Sequence, residues 1–247
     1  MLLDIPTEQL QSTVDRCARE LLVEAGIECP PVDAFRLAHS LGLTVAQDSS
    51  SEVRARFVRL AGEGGTGRGT ILLAGDTRIE RRHWAVAHEV GEFATQRVFE
   101  LLEIPPAEIL PSAREQLANQ LAGAVLLPVN WFQRHGGLVN WDLVELKRFF
   151  PTVSHELIAR RMLQMSPPVI ISLFDQGHLV WRRSNTMRKP APLTIAEHGT
   201  WRASHELEIA SRVEQNMLPE GVTDIRCWCV HETAWRREIM RTELLVW

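Results

Sequence analysis

Apolar residues fall at helical spacing from the beginning of the chain. Leu10, Val14, Cys17, Leu21 and Ala25 lie three or four apart, which predicts an amphipathic helix over residues 7–25, with Thr7 placed to cap its start and Gly26 to end it. The same period returns over Val32–Leu41 after Pro30-Pro31 and stops at Gly42, and Leu43-Thr44-Val45 reads as a short strand. Arg56–Leu60 and Thr70–Leu73 are β-prone runs flanking the glycine-rich Ala61–Gly69, the pattern of a hairpin with a long tip. A longer helical pattern runs from Thr77 to about Leu102 and sets Trp84, Ala87, His88, Gly91 and Ala94 along one side. Pro105-Pro106 breaks it. The next helix is predicted over Ser112–Leu127, with Leu117, Leu121, Ala124 and Val125 on its buried side and the S-x-x-E spacing of a capping box at Ser112 and Glu115. Further helices are predicted over Asp142–Phe149 and Ser154–Met165.

At Pro167-Pro168 the pattern turns to strands: Val169–Phe174, a tight Asp175-Gln176-Gly177 turn, then His178–Arg183. Ser184–Pro192 reads as a linker, followed by a helix near Ser204–Met217 and strands near Val222–Val230 and Glu238–Val246. The expected class is α+β, with a mainly helical domain over residues 1–166 that carries a small N-terminal sheet, and a smaller α+β domain over residues 167–247.

Composition narrows the function classes. With 45% apolar and 23% charged residues, the chain of 247 residues is an ordinary globular one. A formal charge of −4 argues against direct binding to a nucleic acid, which needs a positive field. The four cysteines form no C-x-x-C pair, and MLLDIPTEQL lacks a basic segment followed by an apolar one, so a reducing cytoplasm is the expected location. Apolar stretches such as Leu121–Val129 fall short of the ~20 residues that span a bilayer, so no membrane role is expected.

The candidate chemistry lies at His88-Glu89-Val90-Gly91-Glu92. In an H-E-x-x-H helix, residues i and i+4 share a face and grip one metal ion, while the intervening glutamate activates a water. Here the second histidine is Glu92, still an oxygen ligand one turn from His88, and Glu115 on the following helix is a candidate third ligand. The dipeptide alone is uninformative, since it recurs at His155-Glu156, His205-Glu206 and His231-Glu232; the apolar context Trp84-Ala85-Val86-Ala87 distinguishes the first copy.

The stretch from Arg81 to Glu92 resembles the signature of the ImmA/IrrE family of metallo-endopeptidases, which ends A-H-E-x-G-H. The run from Glu115 through Ala118-Asn119 and Ala122 to Val125-Leu126-Leu127-Pro128 resembles, in turn, the family's E-x-x-A-N-x-x-A-x-x-L-L-x-P helix, and the likeness extends over about residues 7–165. The resemblance implies a zincin-like domain, His88 and Glu115 as metal ligands, Glu89 as general base, and a protein substrate such as a helix-turn-helix transcriptional repressor. Glu92 departs from the family pattern. One imidazole with two carboxylates is a harder, more anionic set, so one divalent metal is expected, zinc first, with manganese or iron as alternatives. An extra anionic ligand also predicts a weaker Lewis acid and slower hydrolysis. Two functions are therefore expected: metal-dependent endoproteolysis, or a non-catalytic regulator that keeps a degenerate peptidase site. With no tyrosine in the chain, His83, His135 and His155 are the candidates for stabilising an oxyanion.

Other signals have plainer explanations. Cys227-Trp228-Cys229 could turn two thiols toward a metal with His231, but fits a half-buried strand. Trp181, Trp201, Trp228, Trp235 and Trp247 with Arg182, Arg183, Arg236 and Arg237 could stack on single-stranded nucleic acid, but serve equally as core and solvated edges. The glycine-rich run lacks the G-K-[ST] ending of a phosphate loop.

Overall fold

Pro6, not Thr7, opens the first helix: α1 spans Thr7–Glu24, and no side chain caps its start. The computed structural model describes residues 5–48, 55–59, 69–76, 78–165, 167–232 and 234–245. The C-terminus of α1 follows the sequence. Gly26 adopts φ 61° and donates to Val23 O, and Ile27 donates to Leu22 O, which ties off the last carbonyls. α2 (Ala34–Ser40) is capped by Asp33, whose carboxylate accepts from the amides of Phe35 and Arg36, and it ends in the same way at Gly42.

Three strands follow: β1 (Thr44–Gln47), β2 (Ala55–Arg59) and β3 (Gly69–Leu73). β3 is central, parallel to β1 and antiparallel to β2, in the order β1-β3-β2. The predicted hairpin pairing is present, while its glycine-rich tip lies outside the described residues. α3 (Ile79–Leu101) and α4 (Pro111–Leu126) then pack along each other and against α1. Their buried sides comprise Val86, Ala87, Val90, Ala94 and Val98 on α3, and Leu117, Ala118, Leu121, Ala122 and Val125 on α4. The predicted capping box at Ser112 is not formed. Pro111 occupies the first turn, where a residue with fixed φ and no amide hydrogen is favoured, so the helix begins before Ser112 and Glu115 is left for other work.

Two compact units divide the chain, residues 1–138 with 148–154 and residues 139–147 with 155–247. Within the first, α5 (Val129–Leu138) buries Phe132 against Phe150, and Thr152 Oγ1 donates to Val32 O at 3.1 Å. The second unit reaches back before the expected boundary at residue 166. α7 (His155–Met162) joins it through Glu156, which accepts from Arg237, and through Arg160, whose guanidinium lies 4.7 Å from the centre of the Trp181 ring. Asn140 and Asp142, just before α6 (Leu143–Phe149), join it by accepting from Arg226 and Trp228. These residues are polar partners of the strands, a relation that helical periodicity does not encode.

The second unit is built on a five-stranded antiparallel sheet ordered β5-β4-β8-β7-β6, with β4 (Val169–Asp175), β5 (His178–Ser184), β6 (Ser211–Arg212), β7 (Val222–Cys229) and β8 (Arg237–Leu244). Gln176 and Gly177 take φ 50° and 79°, both positive as a two-residue hairpin turn requires. α8 (Ile195–Leu207) lies nine residues before its predicted start at Ser204, and Gln215–Met217 forms a separate 3-10 turn. The signal that placed α8 was Thr194-x-x-Glu197, a capping box that the structure forms in both directions. Phe174, Ile225, Cys227 and Met240 make the core beneath α8, with Trp201 packed against them. The architecture is thus α+β, and among the described residues no helix is long and apolar enough to cross a membrane.

Candidate metal centre

One turn of α3 separates His88 from Glu92, so their side chains leave the helix on the same side. What brings Glu115 to them is the closeness of α4. A Cβ built on Gly91 would stand 2.6 Å from the carbonyl oxygen of Ala118, nearer than real atoms approach, so only glycine permits this spacing of the two helices. The result is a group in which one ligand atom each from His88, Glu92 and Glu115 all lie within 4.8 Å of one another. His88 Nε2 is 3.5 Å from Glu115 Oε2. Zinc bonds of about 2.0–2.2 Å at tetrahedral angles put neighbouring ligand atoms about 3.3–3.6 Å apart, so this pair fits a small divalent ion.

Each carboxylate is held through one of its oxygens. Arg114 donates through Nε to Glu92 Oε2 at 2.8 Å and through Nη2 to the Glu92 carbonyl at 3.1 Å. Asn119, one turn beyond Glu115, donates through Nδ2 to Glu115 Oε1 at 3.0 Å and to the Glu115 carbonyl at 2.9 Å. That leaves Glu115 Oε2 toward His88. Neither supporting residue is among the sequence-based expectations: Asn119 carries a local signal, at i+4 on the face of Glu115, whereas Arg114 reaches Glu92 from another helix.

Glu89, the candidate general base, is the buried member of the motif at 7% exposure, whereas the side chains of His88 and Glu92 are open to solvent at 18% and 25%. A carboxylate so buried is retained against its desolvation cost. Of the three histidines considered for an oxyanion, His83 is committed elsewhere: its Nδ1 accepts from the Ala34 amide at 3.2 Å, satisfying a free donor at the start of α2. Burial pushes its pKa below the ordinary 6.5, which suits an acceptor nitrogen. His135 packs at a tilt against Phe149 with ring centres 4.3 Å apart, and His155 opens α7 in the second unit.

The other chemical signals are absorbed by packing. Cys227 is buried in the sheet core, and burial pushes its thiol up to about 12; Cys229 donates to Ser204 O at 3.0 Å. Among the tryptophans, Trp201 stacks on Phe174, Trp228 donates to Asp142, and Trp235 donates to Asp175. Arg182, Arg236 and Arg237 pair with Glu197, Glu208 and Asp175 respectively. Trp247 lies outside the described residues. A separate buried group surrounds Glu238, whose Oε1 meets His205 Nδ1 and His231 Nε2, each at 2.9 Å, while Trp201 Nε1 donates to Oε2 at 3.3 Å.

No protein-family model matches the sequence, and no curated protein matches it significantly. Among solved structures, a Mycobacterium tuberculosis transcriptional regulator resembles the chain with a TM-score of 0.65, covering 97% of this chain and 81% of its own, at 18% sequence identity. At that identity the likeness is one of fold.

Proposed function

We propose that the chain is a metal-dependent endopeptidase of the ImmA/IrrE type, with a zincin-like first unit in which His88, Glu92 and Glu115 hold one divalent ion, zinc before manganese or iron. The observation that carries this reading is the convergence of these three side chains from two helices beside a buried Glu89. A metal bound there would supply Lewis acidity to a water and to a peptide carbonyl. Glu89 would take the proton of the attacking water and return it to the departing amine. His88 would offer an imidazole nitrogen to the ion, and Glu92 and Glu115 would offer carboxylate oxygens whose placement is supported by Arg114 and Asn119.

The substrate we propose is a protein of the helix-turn-helix repressor class, on the strength of the motif resemblance. A second reading, a regulator that binds metal without cleaving, draws support from the transcriptional regulator whose fold this chain resembles. The two are separated by incubating the zinc-loaded protein with candidate repressors from the same genome and mapping products by mass spectrometry. Cleavage by the native protein that falls at least about a hundredfold in Glu89→Gln, with zinc content unchanged, supports the peptidase. No cleavage by the native protein, or equal cleavage by the variant, supports the regulator.

A further inference from the structure

A set of one imidazole and two carboxylates carries one more negative charge than the two imidazoles and one carboxylate of the commoner site. On sequence alone, that excess argues for a harder site and a weaker Lewis acid at whichever ion it holds. The structure places a cation against it. Arg114 grips Glu92 at two points, the carboxylate at 2.8 Å and the carbonyl at 3.1 Å, and the carboxylate pair is only partly screened, with side-chain exposures of 46% and 25%. Counting Arg114, the group returns to the single net negative charge of the commoner set.

We propose that Arg114 is a positioning residue that compensates for Glu92, so that the H-E-x-x-E site behaves toward metals as an H-E-x-x-H site does. The inference rests on the metal-site reading given above. Two effects follow from the contacts. The first is electrostatic: a guanidinium against Glu92 Oε2 withdraws charge from that carboxylate and lowers its appeal to hard cations. The second is geometric. With Oε2 engaged by Arg114, Glu92 is biased to offer an ion its other oxygen, and Asn119 biases Glu115 toward Oε2 by holding Oε1. Two carboxylates biased to bind through one oxygen each suit a four-coordinate zinc ion, whereas manganese and calcium gain from carboxylates that chelate with both oxygens. Arg114 and Glu115 are consecutive on α4, so one turn of one helix delivers both a ligand and the counter-charge for another.

The test is a double-mutant cycle on metal preference, read by titrating zinc and manganese separately into metal-free protein. Arg114→Ala should reduce the ratio of zinc to manganese affinity roughly tenfold, the usual size of an outer-shell effect, and Arg114→Lys should recover part of it. In a Glu92→His background, Arg114→Ala should change that ratio by less than about threefold, because the carboxylate it serves is gone. Arg114→Gln provides the same test should the alanine variant fold poorly. An unchanged ratio in Arg114→Ala, or an equal change in both backgrounds, overturns the role given to Arg114 while leaving the metal site standing. Failure of the native protein to bind either ion overturns the site itself and this inference with it.

Discussion

Gly91 on α3 faces the carbonyl oxygen of Ala118 on α4 so closely that an added Cβ would lie 2.6 Å from it. In an exposed helix, glycine to alanine stabilises by about 1 kcal/mol, because glycine has more conformational freedom to lose. Here the sign reverses. Gly91→Ala forces the two helices apart and is expected to destabilise by about 1–3 kcal/mol, as overpacked cores do. Since the same spacing sets the 3.5 Å approach of His88 to Glu115, zinc affinity should fall in parallel. Chemical denaturation and zinc titration of one preparation check both; a more stable variant with unchanged zinc binding would refute the account of the helix contact.

His83 gives a pH dependence whose sign can be worked out. Its folded pKa lies below the ordinary 6.5, chiefly through burial, and its Nδ1 must remain unprotonated to accept from Ala34. Below pH 6.5 the unfolded chain therefore binds a proton that the folded one refuses, so this contribution to stability is complete above 6.5 and is lost as pH falls through and below it. The loss approaches about 1.4 kcal/mol per pH unit until the folded pKa is reached. His83→Gln should remove that component. Stability curves for both proteins between about pH 5 and 8 decide it, and parallel curves would contradict the assignment.

At Glu197 a helix cap and a buried ion pair meet in one carboxylate. It accepts from the Thr194 amide at 2.8 Å, from Thr242 Oγ1 at 2.6 Å and from Arg182 at 3.0 Å and 3.1 Å, with 1% of its side chain exposed. Thr194→Ala removes the cap and the hydroxyl that donates to Glu197 Oε2, leaves the ion pair in place and should cost about 1 kcal/mol. Glu197→Ala also leaves the Arg182 guanidinium without its counter-charge, holding only Ser172 and Ala191, and should cost about 3–5 kcal/mol. Comparable losses in the two variants would show that the ion pair contributes little.

α1 to α4 were legible because each buries one face: the spacing of Leu10, Val14, Cys17 and Leu21 is recovered in α1 with all four buried, whereas α5, which buries only Phe132 and Gly136, was not predicted. The glycine stops of α1 and α2 were legible for a local reason, the positive φ of Gly26 and Gly42. The candidate site was legible in its spacing, since His88, Glu92 and Glu115 do converge. Its support was legible only in Asn119, one turn from Glu115, because the pairing of Arg114 with Glu92 crosses from one helix to another and has no period. α8 was placed too late for a related reason. Its buried face is short and largely polar, with Glu197, Thr200 and Ser204, so hydrophobic periodicity passed over the helix that Thr194 caps. Residues 139–147 and 155–165 group with the second unit in part through hydrogen bonds made by Asn140, Asp142 and Glu156, which carry no signal in a pattern of apolar positions.

Glu115 offers the most direct test of the metal centre, since its side chain is 61% exposed and its removal should leave stability within about 0.5 kcal/mol of the native value. Calorimetric titration of zinc into metal-free native protein and Glu115→Ala separates binding from folding. The account predicts one zinc site per native chain and an affinity at least about tenfold weaker in the variant. Saturable binding of equal strength in the two proteins, or none in the native one, would contradict it.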